Sequence, residues 1–164
     1  MITTKVQIKK HLSEYASAKY GQFEDGKLNY VQFPHKLDIY HIIWDLLVKR
    51  PKNTCRDEGN LIIALPSRAE GKNPLYYNYL GERSVGIIEK RLENMFFAEL
   101  RSTFEENKNL GINFLDTAYK FICKYEIESI TPDALIKDYY RYRMNVMRRK
   151  RTVRNYRKRN DDFF

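Results

Sequence analysis

Two cysteines in 164 residues, Cys55 and Cys123, with no C-x-x-C spacing, exclude a disulfide framework and a zinc ribbon. Cys123 lies in an apolar run and reads as a small core residue. Seven glycines and five prolines are too few for a low-complexity chain, and no internal repeat is present. The three histidines, His11, His35 and His41, have no metal-ligand spacing, because the last two fall on opposite faces of any helix that holds both. No apolar run approaches the roughly 18 residues of a membrane span, and the start MITTKVQIKKHLSEY contains no apolar stretch of signal-peptide length. A soluble, cytoplasmic protein without a membrane partner is expected. Gly81 and Gly86 flank Glu-Arg-Ser-Val with no Lys-Ser or Lys-Thr behind, so no phosphate-cradling loop is present. Neither a cofactor nor a small-molecule substrate is indicated.

What the chain does have is apolar and aromatic mass: 43% hydrophobic residues, with aromatics at 14%. That is enough to offset the ordering entropy of one domain of ordinary size. It also has basic charge, 30 Lys and Arg against 21 Asp and Glu for a net +9. The excess is not spread evenly. Residues 1–136 hold 19 basic and 18 acidic side chains, whereas residues 137–160 hold 11 basic and only Asp138 on the acidic side. A near-neutral globular body, 1–136, followed by a basic helical arm, 137–164, is the charge asymmetry of a protein that meets a polyanion.

Periodicity supplies the elements. Val6, Ile8, Leu12, Tyr15 and Ala16 predict a helix from Thr4 to about Lys19, stopped by Gly21. Alternation over Leu28–Phe33 predicts a strand, and Ile39, Ile42, Ile43, Leu46 and Leu47 a core helix ended by Pro51. Leu61–Leu65 reads as a buried strand able to pair with 28–33. Asn73-Pro74 opens a short aromatic helix over Leu75–Leu80, whose Tyr76, Tyr77 and Tyr79 are a candidate homodimer surface. A helix from Ser84 to about Asn107 is followed by one over Phe114–Tyr125. Thr131-Pro132-Asp133 then combines an N-cap, a first-position proline and a first-turn acid, three independent signals of another helix start. The fold class is mainly α with a small β element (α+β). It comprises a helical core of about five helices plus a two-stranded hairpin, ending in a long basic C-terminal helix.

The last helix carries the functional reading. Taking about 100° per residue from Leu135, the residues Tyr139, Tyr142, Val146 and Val153 fall within about 40° of it and form a packing stripe. Lys137, Arg141, Arg148 and Arg151 fall between roughly 160° and 240°, on the opposite face. Beyond Arg148 the basic residues surround the axis. The candidate nucleic-acid-binding residues are Lys137, Arg141, Arg143, Arg148, Arg149, Lys150, Arg151, Arg154, Arg157, Lys158 and Arg159. Arginine dominates the set, and a guanidinium binds phosphate bidentately and also pairs with guanine in the major groove. Two helices joined by a short turn, the second basic, have the outline of a helix-turn-helix.

The expected function is regulatory or architectural nucleic-acid binding without catalysis, with double-stranded DNA favoured over RNA. One alternative is a non-catalytic assembly protein, a virion or ribonucleoprotein component, whose arm binds RNA or an acidic protein. Another is a metal-dependent nuclease built on Asp57, Glu70 and Lys72, a pattern weakened because Glu70 and Lys72 follow Pro66 in a loop rather than lying on a strand.

Overall fold

The apolar run Leu61-Ile62-Ile63-Ala64, set between Gly59-Asn60 and Pro66, becomes an inner strand of a sheet, where both faces must be covered. A computed structural model describes the backbone of residues 1–52 and 58–161 and the side chains of 1–52 and 58–150. Its elements are β1 (Thr3–Val6), α1 (Lys10–Tyr20), β2 (Gly21–Glu24), β3 (Lys27–Val31), α2 (Asp38–Leu46), β4 (Leu61–Ala64), α3 (Glu82–Asn109), α4 (Phe114–Lys124) and α5 (Pro132–Asp161).

The four strands form one mixed sheet in the order β1-β4-β3-β2. β2 and β3 make an antiparallel hairpin through Asp25-Gly26, both with positive φ, as a tight hairpin turn requires. β4 lies parallel to β3 with Val31 opposite Ile63, α2 serving as the crossover, and β1 closes the other side antiparallel to β4. The pairing of the two expected strands is therefore present, as part of a larger sheet. Val31, Leu61 and Ile63 are fully buried, together with Leu12, Tyr15 and Ala16 of α1 and Ile39 and Ile43 of α2.

Two local contacts hold the inner edge. A Cβ on Gly59 would lie 2.2 Å from the Val6 carbonyl carbon, so only glycine permits this approach. Next to it, the Asn60 side chain accepts from Ile8 N at 3.0 Å and donates to Ile8 O at 2.8 Å, satisfying the buried backbone between β1 and α1.

α3 is the spine. Ile88, Leu92, Phe96, Leu100 and Phe104, each four residues after the last, make one continuous buried stripe that α1, α2, α4 and α5 share. Phe96 meets Tyr15 edge-on at 5.3 Å and Phe121 at 5.6 Å. Above this aromatic cluster, the Glu99 carboxylate accepts from the Tyr15 hydroxyl at 2.7 Å, from the Tyr125 hydroxyl and from the Lys19 ammonium, joining α1, α3 and the end of α4.

Several expectations are corrected. The two-stranded hairpin is a four-stranded sheet. The helix expected from Thr4 begins only at Lys10, because Thr4 and Val6 point into the core with strand spacing while β1 pairs with β4. Period two and period four coincide over so short a run, and strand pairing decided it. The aromatic helix over Leu75–Leu80 is a turn whose Tyr79 bridges Val48 through two backbone hydrogen bonds of 3.2 Å. Cys123 is exposed, on the outer face of α4. The long C-terminal helix is basic surface only in part, since the first turns of α5 dock on the body through Leu135 and Tyr139, both fully buried. Among the described residues, no helix is long and apolar enough to cross a membrane.

Candidate nucleic-acid interface

α5 starts where the sequence marks it. Thr131 Oγ1 accepts from Ala134 N at 3.4 Å, and Pro132 takes the first helical position, where its missing N–H costs nothing. The connection before it is clamped from α1. The Glu14 carboxylate accepts from Glu128 N and Ser129 N at 3.2 Å and from the Ser129 hydroxyl at 2.6 Å, which fixes the angle at which α5 leaves α4.

Packing then fixes the rotation of α5 about its axis. Tyr139 stacks on Phe104 with ring centroids 4.7 Å apart and donates to Glu105 Oε1 at 2.7 Å. Burial, with the Glu105 acceptor adding to it, pushes the phenol up to about 12. The Arg101 guanidinium pairs with Asp138 at 3.1 Å and lies 4.4 Å from the Tyr142 ring centre. Asp138, the lone acid of residues 137–160, is thus turned towards the body and paired there.

With rotation fixed, Lys137, Arg141 and Arg148 are exposed on the side away from the body. From Lys137 to Arg148 the helix rises roughly 16 Å, a span of several successive phosphates along one strand. Arg149 and Lys150 are exposed as well. Arg143 is half-buried, its guanidinium 5.8 Å from the Tyr139 ring centre, where stacking holds it close to the body. The side chains of Arg151, Arg154, Arg157, Lys158 and Arg159 lie outside the described residues, although the helix itself continues to Asp161.

Past Tyr142 the helix separates from the end of α3. A groove of about 340 Å³ opens there, lined by Glu105, Lys108, Tyr142, Arg143, Val146 and Lys150 among others. The Val146 stripe position, expected to pack, is only half-buried beside it.

The helix-turn-helix outline fits less well. The connection from α4 to α5 is seven residues, 125–131, and the N-terminal half of α5, the half that reads bases in that motif, is the half docked on the body. Sequence reasoning also missed an apolar row. Tyr140, Met144 and Met147 are 49%, 68% and 49% exposed, Tyr140 and Met147 beside the cationic positions and Met144 among them. They fall between roughly 120° and 180° on the same wheel that located the arginines, so the signal was available.

Of the residues of the nuclease alternative, two are described. Lys72 donates to the carbonyls of Trp44 at 3.1 Å and Asp45 at 2.5 Å, capping the end of α2. Glu70 is exposed in a loop and Asp57 lies outside the described residues. Among the described residues, no group of three His, Cys, Asp or Glu side chains could hold a metal ion. Comparison with known protein families, curated proteins and solved structures finds no match to the chain.

Proposed function

We propose that the chain is a non-catalytic nucleic-acid-binding protein that lays the outward face of α5 against a phosphate backbone, with duplex DNA as the favoured partner and a regulatory or architectural role. The observation that carries this reading is the exposed row of Lys137, Arg141 and Arg148 on a helix docked through Leu135 and Tyr139 on its other side, with Asp138 paired to Arg101. A preorganised row of this kind gives up little rotational freedom on binding, because Tyr139 and Glu105 already hold the helix in place. Counterion release supplies the driving force and makes binding depend on salt.

The test is fluorescence anisotropy of the full chain with a mixed-sequence DNA duplex and a structured RNA of equal length, between 50 and 200 mM salt as in the usual range. Replacing Arg141 and Arg148 by Gln together is expected to lower the log-log salt slope by about two units. An unchanged slope overturns the reading.

A second reading, an assembly protein that binds an acidic partner, is favoured by the exposed Tyr140, Met144 and Met147 row, because phosphates make no use of thioether and ring surface. It predicts weak, salt-sensitive binding to free duplex, with tight binding requiring Met144 and Met147.

A further inference from the structure

Because β3 and β4 run parallel, both chains leave the sheet at the same end, one continuing into α2 and the other into residues 65–74. Diverging connections at the carboxyl ends of parallel strands leave a cleft between them, the usual place for a ligand in an open sheet. A pocket of about 600 Å³ opens there. Phe33 after β3, Leu65 after β4, Ile2 before β1 and Tyr40 of α2 line it, with Pro74 and Leu75. Ile2 O accepts from Leu65 N at 2.9 Å, which ties two of these walls together. Among the described residues, none that lines the pocket belongs to α5, so the phosphate contact proposed above makes no use of it.

The polar groups of the pocket are few and held in place. The Tyr40 hydroxyl donates to Ser67 O at 2.9 Å, and Asn73 Oδ1 accepts from Leu75 N at 2.9 Å, which leaves the Asn73 amide N–H groups to donate. Arg68, next in the chain to Ser67, lies over the Tyr40 ring with its guanidinium 5.7 Å from the ring centre. It is also 4.8 Å from the Trp44 ring centre and donates to His41 Nδ1, so one turn of α2 fixes the side chain. Among the described residues, no carboxylate pairs with Arg68. Stacking of this kind leaves a guanidinium its charge and most of its N–H fork. Apolar walls of this size accept a drug-sized body, and Phe33 and Tyr40 offer it aromatic surface, while a cation fixed on one of those rings matches a single negative charge. We infer that the pocket binds a small aromatic monoanion, its ring system against Phe33 and Tyr40 and its acidic group towards Arg68. The inference stands apart from the reading of α5 and uses none of its residues.

Burial and charge are separated by two fluorescent probes, anilinonaphthalene sulfonate and its uncharged parent phenylnaphthylamine, each titrated into the full chain at about 100 mM salt. The unmodified chain is expected to bind both at one saturable site and to prefer the sulfonate by about ten-fold, the worth of one charge-assisted pair. Arg68→Gln should remove that preference and leave the affinity for the parent unchanged. Leu75→Asp, which sets a carboxylate on the pocket wall, should weaken both probes, the sulfonate more. Arg141→Gln with Arg148→Gln should move neither. No saturable binding in the unmodified chain, or binding untouched by Leu75→Asp, overturns the pocket. A preference that survives Arg68→Gln overturns the assignment of the anion to Arg68, and sulfonate binding lost with the α5 substitutions places the probe on α5 and overturns the inference as well. Arg68 and Leu75 are both exposed, so their replacement leaves the core intact, which an unchanged circular dichroism spectrum checks.

Discussion

Replacing Glu99 by Gln removes a charge from the point where α1, α3 and α4 meet and leaves an acceptor oxygen in its place. Burial would raise this carboxyl, yet hydrogen bonds from Lys19, Tyr125 and Tyr15 outweigh it and hold the group at about 2, against an ordinary value of 4.5. A depression of that size corresponds to about 3 kcal/mol at roughly 1.4 kcal/mol per unit. The side chain keeps 22% exposure, so solvent screening reduces the expected effect to about 2 kcal/mol. The folded value lies below the unfolded one. The contribution is therefore complete above the unfolded value and is lost as pH falls from 4.5 towards 2. Urea denaturation followed by circular dichroism, repeated across that range and at neutrality, should show Glu99→Gln less stable by about 2 kcal/mol at pH 7, with the gap closing as the wild-type carboxylate protonates. A gap that stays constant with pH, or that is absent at neutrality, refutes the argument that the charged carboxylate ties the three helices together.

Three further outcomes follow from the fold. Asn60→Ala leaves the N–H and C=O of buried Ile8 without partners and is expected to cost about 2 kcal/mol, read from the urea midpoint; a loss below about 0.5 kcal/mol would mean that the Asn60 bonds contribute little. Gly59→Ala drives a Cβ into the Val6 backbone at 2.2 Å, so β1 should detach from β4; hydrogen exchange at Thr4 and Val6 as slow as in the unmodified protein would contradict this. Cys123, exposed on α4, should be alkylated in the folded protein, which peptide mapping detects, and modification only after denaturant would return it to the core.

The helices with long stripes were legible because their signal repeats. Five buried positions spaced by four along α3 cannot be mistaken for a strand, and Thr131-Pro132-Asp133 marks the start of α5 by local chemistry alone. The strands β1 and β2 were not legible. Four residues carry at most two periods of alternation, and β2 shows no apolar alternation at all, being mostly exposed at the sheet edge. The turn at 74–80 misled because Asn73-Pro74 is a genuine helix-start pair, here overridden by the backbone bridge between Val48 and Tyr79.

For the candidate site, composition alone placed the excess charge in the last quarter of the chain, and the helical wheel divided packing from cationic positions. Both are properties of local sequence and of fixed helix geometry. Which face points outward was settled by contacts between residues far apart in the chain: Glu14 on the connection, Arg101 on Asp138 and Glu105 on Tyr139. The same holds for Tyr77 beside Lys49 and Tyr79 beside Arg50, since residues more than twenty positions apart are brought together by the pairing of Val48 with Tyr79. Sequence determines what each segment can bury and what it must leave in water. Tertiary packing alone decides which of the remaining groups become neighbours, because that depends on crossings and loop closures that no local pattern encodes.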